Sequence, residues 1–179
     1  MLEKLYFFSS KGAFHLNESK DELLFIKNDN AFTLLNFFSQ MIQSYLDTYI
    51  IVLLTIETMS GKHLTLKKKQ LISELHQAIK NLYQENVIPD LHACLIEVIK
   101  TAMDRFAQMG FVEMRAYGNK DGRTSEFLQS LAEAKPRVEE QLAAVMAVRP
   151  FTEKEISTID TEIQEAVQRA QGPLVLSRL

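Results

Sequence analysis

The residues of this 179-residue sequence best suited to chemistry are four histidines, one cysteine and a short run of lysines. The histidines are His15, His63, His76 and His92. No two of them stand four apart on one helix, so the two-histidine arrangement that grips zinc from a single helical face is missing. His76 and His92 fall in different predicted helices and read as flank histidines with backbone or water partners. Cys94 follows His92 by two residues, which puts the two on different faces of a helix, and a thiolate–imidazole pair needs hydrogen-bond contact. Cys94 therefore reads as a small core or boundary residue. With a single cysteine, no intramolecular disulfide and no cysteine-based zinc site can form.

The other catalytic constellations are equally scarce. The six glycines are scattered singly, so no Gly-rich phosphate loop exists. A Gly-x-Ser-x-Gly nucleophile elbow is absent. Glu139 with Glu140, and Glu153 with Glu155, read as solvated helix faces and partners of the helix dipole rather than an acid–base pair. No catalytic, cofactor-binding or metal-binding residue is assigned. The exception in the charge pattern is Lys62-His63 followed by Lys67, Lys68 and Lys69. These lysines open a predicted helix, where positive charge opposes the macrodipole at a cost of a few tenths of a kcal/mol. Such a local conflict marks a candidate anion or membrane contact, against the plainer reading of a solvated lysine cluster.

The elements that must carry these residues are mostly helical. Hydrophobic residues make up 46% and charged residues 24% of the chain, which is enough apolar material for a core without metal or disulfide. Six Gly and four Pro are few chain-breakers, which favours long helices over a sandwich of short strands. The net charge of −3 excludes a whole-domain basic footprint for nucleic acid. The N-terminus lacks the residue order of a signal peptide.

Residues 1–28 read as a β-rich lead-in segment with apolar runs at Leu5–Phe8, Gly12–Leu16 and Leu23–Ile26. Residues 29–179 read as a helical domain. Its first helix, Ala31 to Met59, carries Leu34, Leu35, Phe38, Ile42, Tyr45, Leu46 and Tyr49 as an apolar stripe and stops at Ser60-Gly61. It is too polar to span a bilayer and reads as a core helix, with an interfacial helix as the alternative. A second helix, Leu66 to Asn86, turns Leu71, Ile72, Leu75, Ile79, Leu82 and Tyr83 inward, and Asn86 suits the left-handed position after its end. A third runs from Asp90 to Met109 with Leu91, Leu95, Val98, Ile99, Ala102, Met103 and Phe106 inward. A hairpin follows at about 111–128, with Val112, Met114 and Ala116 on one face. Two helices close the chain. One spans Leu131 to Val148 with Pro136 near its start. The other opens on a Thr152/Glu155 capping box stapled by Phe151 and Ile156, and ends at Gly172-Pro173. The fold class is mostly α: a helical bundle with a short N-terminal β hairpin and a winged-helix-like helix–helix–hairpin unit.

Particular stretches carry a resemblance. They are Ser44-Tyr-Leu-Asp-Thr-Tyr49, Lys69-Gln-Leu-Ile-Ser-Glu-Leu-His76, Leu82-Tyr83, and Ile88-Pro-Asp-Leu-His-Ala-Cys-Leu95. With Arg105-Phe106, Gly110, Tyr117 and the opening Tyr6-Phe-Phe and Phe14-His-Leu16, they resemble the C-terminal region of the glycerol-3-phosphate / dihydroxyacetone-phosphate acyltransferase family. The resemblance implies a parent enzyme that moves a fatty acyl group from acyl-CoA to the sn-1 hydroxyl of glycerol 3-phosphate, in glycerophospholipid synthesis. It also implies a His-x-x-x-x-Asp motif, with His as the general base. Here the fifth residues after the four histidines are Lys20, Lys68, Asn81 and Glu97, none of them Asp.

The chain is therefore expected to be a non-catalytic C-terminal accessory domain or fragment of a glycerolipid acyltransferase. Its expected partners are the catalytic acyltransferase domain, in cis or in trans, and an anionic membrane surface, met through Ala31 to Met59 and Lys67 to Lys69. The parent is expected on the cytosolic side of a membrane, and the isolated chain in solution, without a cofactor. The alternative is a winged-helix-like protein-interaction module built on Asp90 to Met109. Lys100 and Arg105 are too few basic residues there for phosphate contacts, so no nucleic-acid partner is expected.

Overall fold

Apolar residues at three- and four-residue steps, interrupted by two short alternating stretches, give a mostly helical chain with a small antiparallel sheet. The computed structural model describes residues 14–16, 23–25, 29–118 and 124–171. The expected run Leu5–Phe8, the tip of the hairpin turn and the Gly172-Pro173 stop lie outside them. The chain divides into two compact units, Met1–Ile42 and Gln43–Leu179.

In the first unit, β1 (Phe14–Leu16) and β2 (Leu23–Phe25) pair antiparallel, with Phe14 opposite Phe25 and Leu16 opposite Leu23. Helix α1 (Asp29–Gly61) also begins there.

The second unit is built around the later part of α1. Ile50, Ile51, Val52, Leu53, Ile56 and Met59 have no exposed surface. A helix apolar on every side must be enclosed by its neighbours, and this one is. The core-helix expectation is met here; of the stripe expected upstream, Tyr49 packs on the core while Ile42 and Tyr45 are 59% and 49% exposed.

The expected second helix is shorter than its apolar pattern suggested. Thr65–Lys67 forms strand β3, and helix α2 spans Lys68–Gln84. Leu66 is buried between exposed neighbours and pairs with Leu128, so one apolar residue in a period-two pattern has been drawn into the sheet. Leu71, Ile72, Leu75, Ala78, Ile79 and Leu82 form the buried face of α2, while Tyr83 is 38% exposed. Asn86 takes the left-handed conformation expected of it, with φ 59°.

The expected third helix is broken. Leu91–Cys94 is a 3-10 turn, Leu95 is extended, and helix α3 covers Ile96–Gln108. Two contacts with α1 fall on the broken stretch. Thr48 Oγ1 sits 3.1 Å from the Ala93 carbonyl oxygen, and the Ser44 hydroxyl donates to the Asp90 carboxylate. These contacts hold 90–93 against α1 and draw the Ala93 carbonyl away from a helical ladder. Leu95, expected inward, is consequently 51% exposed. Val98, Ile99, Ala102, Met103 and Phe106 are buried as the spacing predicts.

Gly110 ends this segment with φ 73°, a left-handed conformation that glycine adopts without strain. Strands β4 (Val112–Gly118) and β5 (Thr124–Ser130) follow, and the sheet order is β3-β5-β4, all antiparallel. Of the face expected inward, only Val112 is buried, and Met114 is 44% exposed. Ser130 ties the sheet to α1, its hydroxyl donating to the Met59 carbonyl at 3.1 Å.

After a 3-10 turn at Ala132–Ala134, helix α4 (Lys135–Val148) starts with Pro136 in its first turn, where a missing N–H costs nothing. Helix α5 (Glu153–Gln171) opens on the expected capping box. The Thr152 N–H donates to Glu155 Oε2 at 2.7 Å, and the Glu155 N–H donates to Thr152 Oγ1 at 3.3 Å. Phe151 is buried and Ile156 packs on the core as its staple. Helix α5 runs antiparallel along α2, with Gln70 Nε2 donating to the Arg169 carbonyl and Asn81 Nδ2 to Glu162.

Candidate functional site

The three lysines sit where β3 becomes α2, and the fold gives them different roles. Lys67 has an extended backbone and stands at the N-cap position, without a side-chain cap and without an acid in the first turn of α2. Lys68 turns inward. Its Nζ lies 2.8 Å from Asp104 on α3 and 3.1 Å from Glu126 on β5, with only 15% of its side chain exposed. Burial pulls the Lys68 ammonium toward deprotonation, but the Asp104 and Glu126 carboxylates outweigh it and hold its pKa above the ordinary lysine value. Lys68 is thus a structural tie between three elements. Lys67 and Lys69 are exposed and, among the described residues, have no ion-pair partner.

A groove of about 560 Å³ runs between the first turns of α2 and the start of β5. Lys67 and Lys69 line it with Gln70, Ser73, Glu74 and Thr124. Both of its acids are already matched, Glu74 by Arg169 at 2.8 Å and Glu126 by Lys68. Across the sheet register, Lys67 stands opposite Phe127, and Phe127 opposite Arg115. Arg115 in turn pairs with Glu113 at 2.9 Å.

A second ionic feature escaped the reading of the sequence. Asp47, in the middle of α1, has no exposed surface, and its Oδ1 accepts from Arg149 Nε at 2.8 Å. The Arg149 guanidinium also lies over the Phe151 ring, 4.3 Å from its centroid. Burial raises the Asp47 carboxyl above its ordinary pKa, and the Arg149 charge opposes that shift without cancelling it. The pair pins the α4–α5 junction to α1.

His63 and His76, the two histidines whose side chains are described, stand on different elements, a turn and a helix. His63 is exposed, in a left-handed conformation with φ 51°. His76 is half-buried on α2, and burial together with Lys80 lowers its pKa. His92 lies in the 3-10 turn rather than in the amphipathic helix expected for it, so its spacing to Glu97 crosses the break at Leu95. Glu97 pairs with Lys100 at 2.7 Å. Cys94 is buried, and burial pushes its thiol pKa up, away from a reactive thiolate. Among the described residues, no group of His, Cys, Asp and Glu is placed to hold a metal ion. None of their helices is long and apolar enough to cross a membrane.

A family model described as the glycerol-3-phosphate acyltransferase C-terminal region matches residues 3–115, more than half of the chain. The chain belongs to this family. Comparison with curated proteins and with solved structures finds no match. The acyltransferase C-terminal match ends inside β4, yet β5 sits between β3 and β4 and α5 covers α2. The fold of this acyltransferase C-terminal region is therefore completed by residues beyond the matched segment. Of the helix named above as a contact for a membrane or catalytic partner, the central part is enclosed in the core, while Ile42 and Tyr45, like Lys67 and Lys69, are exposed.

Proposed function

We propose that this chain is a non-catalytic accessory domain of a glycerolipid acyltransferase, which supports a catalytic domain that acylates glycerol 3-phosphate from acyl-CoA. The observation that carries the reading is the family match across residues 3–115. Its support is the chemistry of the described residues. None of the four histidines is followed at the fifth position by Asp, and the one thiol is buried. In this reading the domain docks on the catalytic domain and presents the Lys67–Lys69 edge to an anionic surface, at the cytosolic face of a membrane. Co-expression with the catalytic domain tests the docking. Co-purification at a fixed ratio is expected, and two independently migrating proteins would remove it.

A second reading, a winged-helix-like protein-interaction module, is favoured by one observation. The order α1, β3, α2, α3, β4, β5, with β3 beside β5, matches the helix-and-strand sequence of such a unit. The break at Leu95 weakens it, because the supposed recognition helix loses its first turns. Capture of a binding partner that survives Lys100→Ala and Arg105→Ala but not changes on β4 would move the binding surface away from that helix.

A further inference from the structure

We infer that the outer edge of β4 is a self-pairing surface, where two copies of this chain join antiparallel about Met114 into one continuous sheet. Such pairing lies beyond the accessory reading and does not depend on it.

In the order β3-β5-β4, no described strand pairs with the outer side of β4. The strand is seven residues long, its register with β5 is unbroken, and every residue from Glu113 to Gly118 is exposed. Sheet edges are commonly guarded by shortness, proline, a bulge or like charge. The opposite edge, β3, has three residues and ends at Lys67. β4 has neither proline nor bulge, and its acid, Glu113, is balanced by its base, Arg115.

The backbone fixes how this edge can pair. Ser130 donates its N–H to the Leu64 carbonyl at 3.3 Å, on the β3 side of β5. Alternate residues of an antiparallel strand direct their N–H and C=O to opposite neighbours. Gln129, Phe127 and Ser125 therefore bond toward β4, through Glu113, Arg115 and Tyr117 opposite them. Val112, Met114 and Ala116 are left directing their backbone groups to the open side. A two-fold axis at Met114 sets Met114 against the partner's Met114 and Val112 against the partner's Ala116, so these outward groups answer one another. The same axis sets Glu113 against the partner's Arg115, and Arg115 against the partner's Glu113. These are the non-hydrogen-bonded positions of the new ladder, where opposite side chains lie closest and unlike charges attract.

Neighbouring registers lack this fit. An axis at Glu113 opposes two carboxylates, and one at Arg115 opposes two guanidiniums. An axis at Ala116 runs Val112 and Glu113 past the end of the partner strand. Charge and hydrogen bonding thus select a second copy of this strand, in one register, as the occupant of the edge. One strand from each copy covers less than a standard interface of about 1,600 Å², so the dimer should be weak, with a Kd on the order of 0.1 mM.

The full chain is sedimented to equilibrium at roughly 10 μM to 1 mM, which brackets that Kd. The mass should rise toward that of a dimer. Glu113→Arg alone and Arg115→Glu alone each place like charges across the axis, and each should weaken association about tenfold or more. An equal mixture of these two variants restores opposite charges at both positions and should associate like the parent chain. Amide exchange in the parent chain should slow with concentration at Met114 and Ala116, but not at Arg115, which already bonds to β5. The inference is overturned if the parent stays monomeric to the highest concentration, or if either single variant associates as the parent does. It also fails if the mixture is no better than its components, or if exchange at Met114 and Ala116 ignores concentration. A monomeric chain whose Met114 and Ala116 amides are protected only by a catalytic domain would give the edge to that domain instead. None of these readings uses enzyme activity, so failure here leaves the accessory reading standing.

Discussion

Replacing Arg149 by Ala should destabilise the chain strongly at neutral pH and progressively less as the solution is acidified. Asp47 has no exposed surface, its Oδ1 depends on Arg149 Nε at 2.8 Å, and among the described residues its Oδ2 has no hydrogen-bond partner. Removing one member of a buried pair strands the other charge, which typically costs about 3–5 kcal/mol. The Arg149 side chain is 17% exposed, so the lower end applies and about 3 kcal/mol is expected at pH 7. For a chain of this size that lowers Tm by roughly 6–12 °C.

The pH dependence follows from the direction of the Asp47 shift. Burial holds its folded pKa above the unfolded value even with Arg149 present. A raised carboxyl pKa favours folding most below the unfolded pKa, and that advantage disappears as pH rises through the folded pKa. Without Arg149 the folded pKa moves higher still, so Asp47 takes up a proton in the folded variant at a less acidic pH. Urea unfolding at pH 7 and pH 5 should give a deficit that shrinks on acidification at constant m-value. Asp47→Asn keeps an acceptor for Arg149 without a buried charge, and should cost no more than about 1 kcal/mol. The reasoning is refuted if Arg149→Ala costs less than about 0.5 kcal/mol, the scale of an ordinary surface change, or if its cost is the same at both pH values.

Other expectations concern single elements. Thr152→Ala removes the side-chain half of the α5 capping box, leaving the N–H of residue 152 on Glu155, and should cost about 1 kcal/mol in a thermal or urea melt. The N–H of Thr152 first, and then its hydroxyl, hold the Glu155 pKa down. The stability from this box is therefore present above the unfolded pKa and lost as pH falls through the folded one, opposite in sign to Asp47. Leu75→Ala empties a fully buried site on α2 and should cost about 2–5 kcal/mol by the same melt. Ending the chain after residue 115 removes β5 and α5 while leaving Leu66 and Leu75 without their cover. Loss of the cooperative unfolding transition is expected, and a truncated chain that melts like the full one would contradict the β3-β5-β4 sheet.

Much of this architecture is legible in the sequence, and the exceptions share a cause. Helices α2 and α5 follow stripes of Leu and Ile whose period survives into the structure, and the Thr152/Glu155 box is a local signal answered locally. Gly110 and Asn86 took the backbone conformations their residue types allow. The break before Leu95 has no such local mark. The apolar spacing continues through it, while the hydroxyls of Ser44 and Thr48, far away in sequence, contact Asp90 and Ala93 in the broken stretch. Strand β3 was hidden for a similar reason, since one buried Leu66 cannot establish a period and its partner Leu128 lies on a distant strand.

The site follows the same division. The lysine cluster stands out in the sequence as a charge run. Which lysine turns inward depends on Asp104 and Glu126, and nothing near Lys68 announces them. Asp47 looked like one polar residue of several in an apolar helix. Its partner Arg149 follows a helix end about a hundred residues later, so its role appears only when the bundle closes.

The most direct test of the accessory account is an acyltransferase assay with acyl-CoA and glycerol 3-phosphate. It is run on the purified chain, on a separately prepared catalytic domain, and on the two mixed. The account predicts no turnover from the chain alone and a rise in activity or half-life when it is added to the catalytic domain. Turnover by the chain alone would contradict it, and so would a catalytic domain indifferent to its addition.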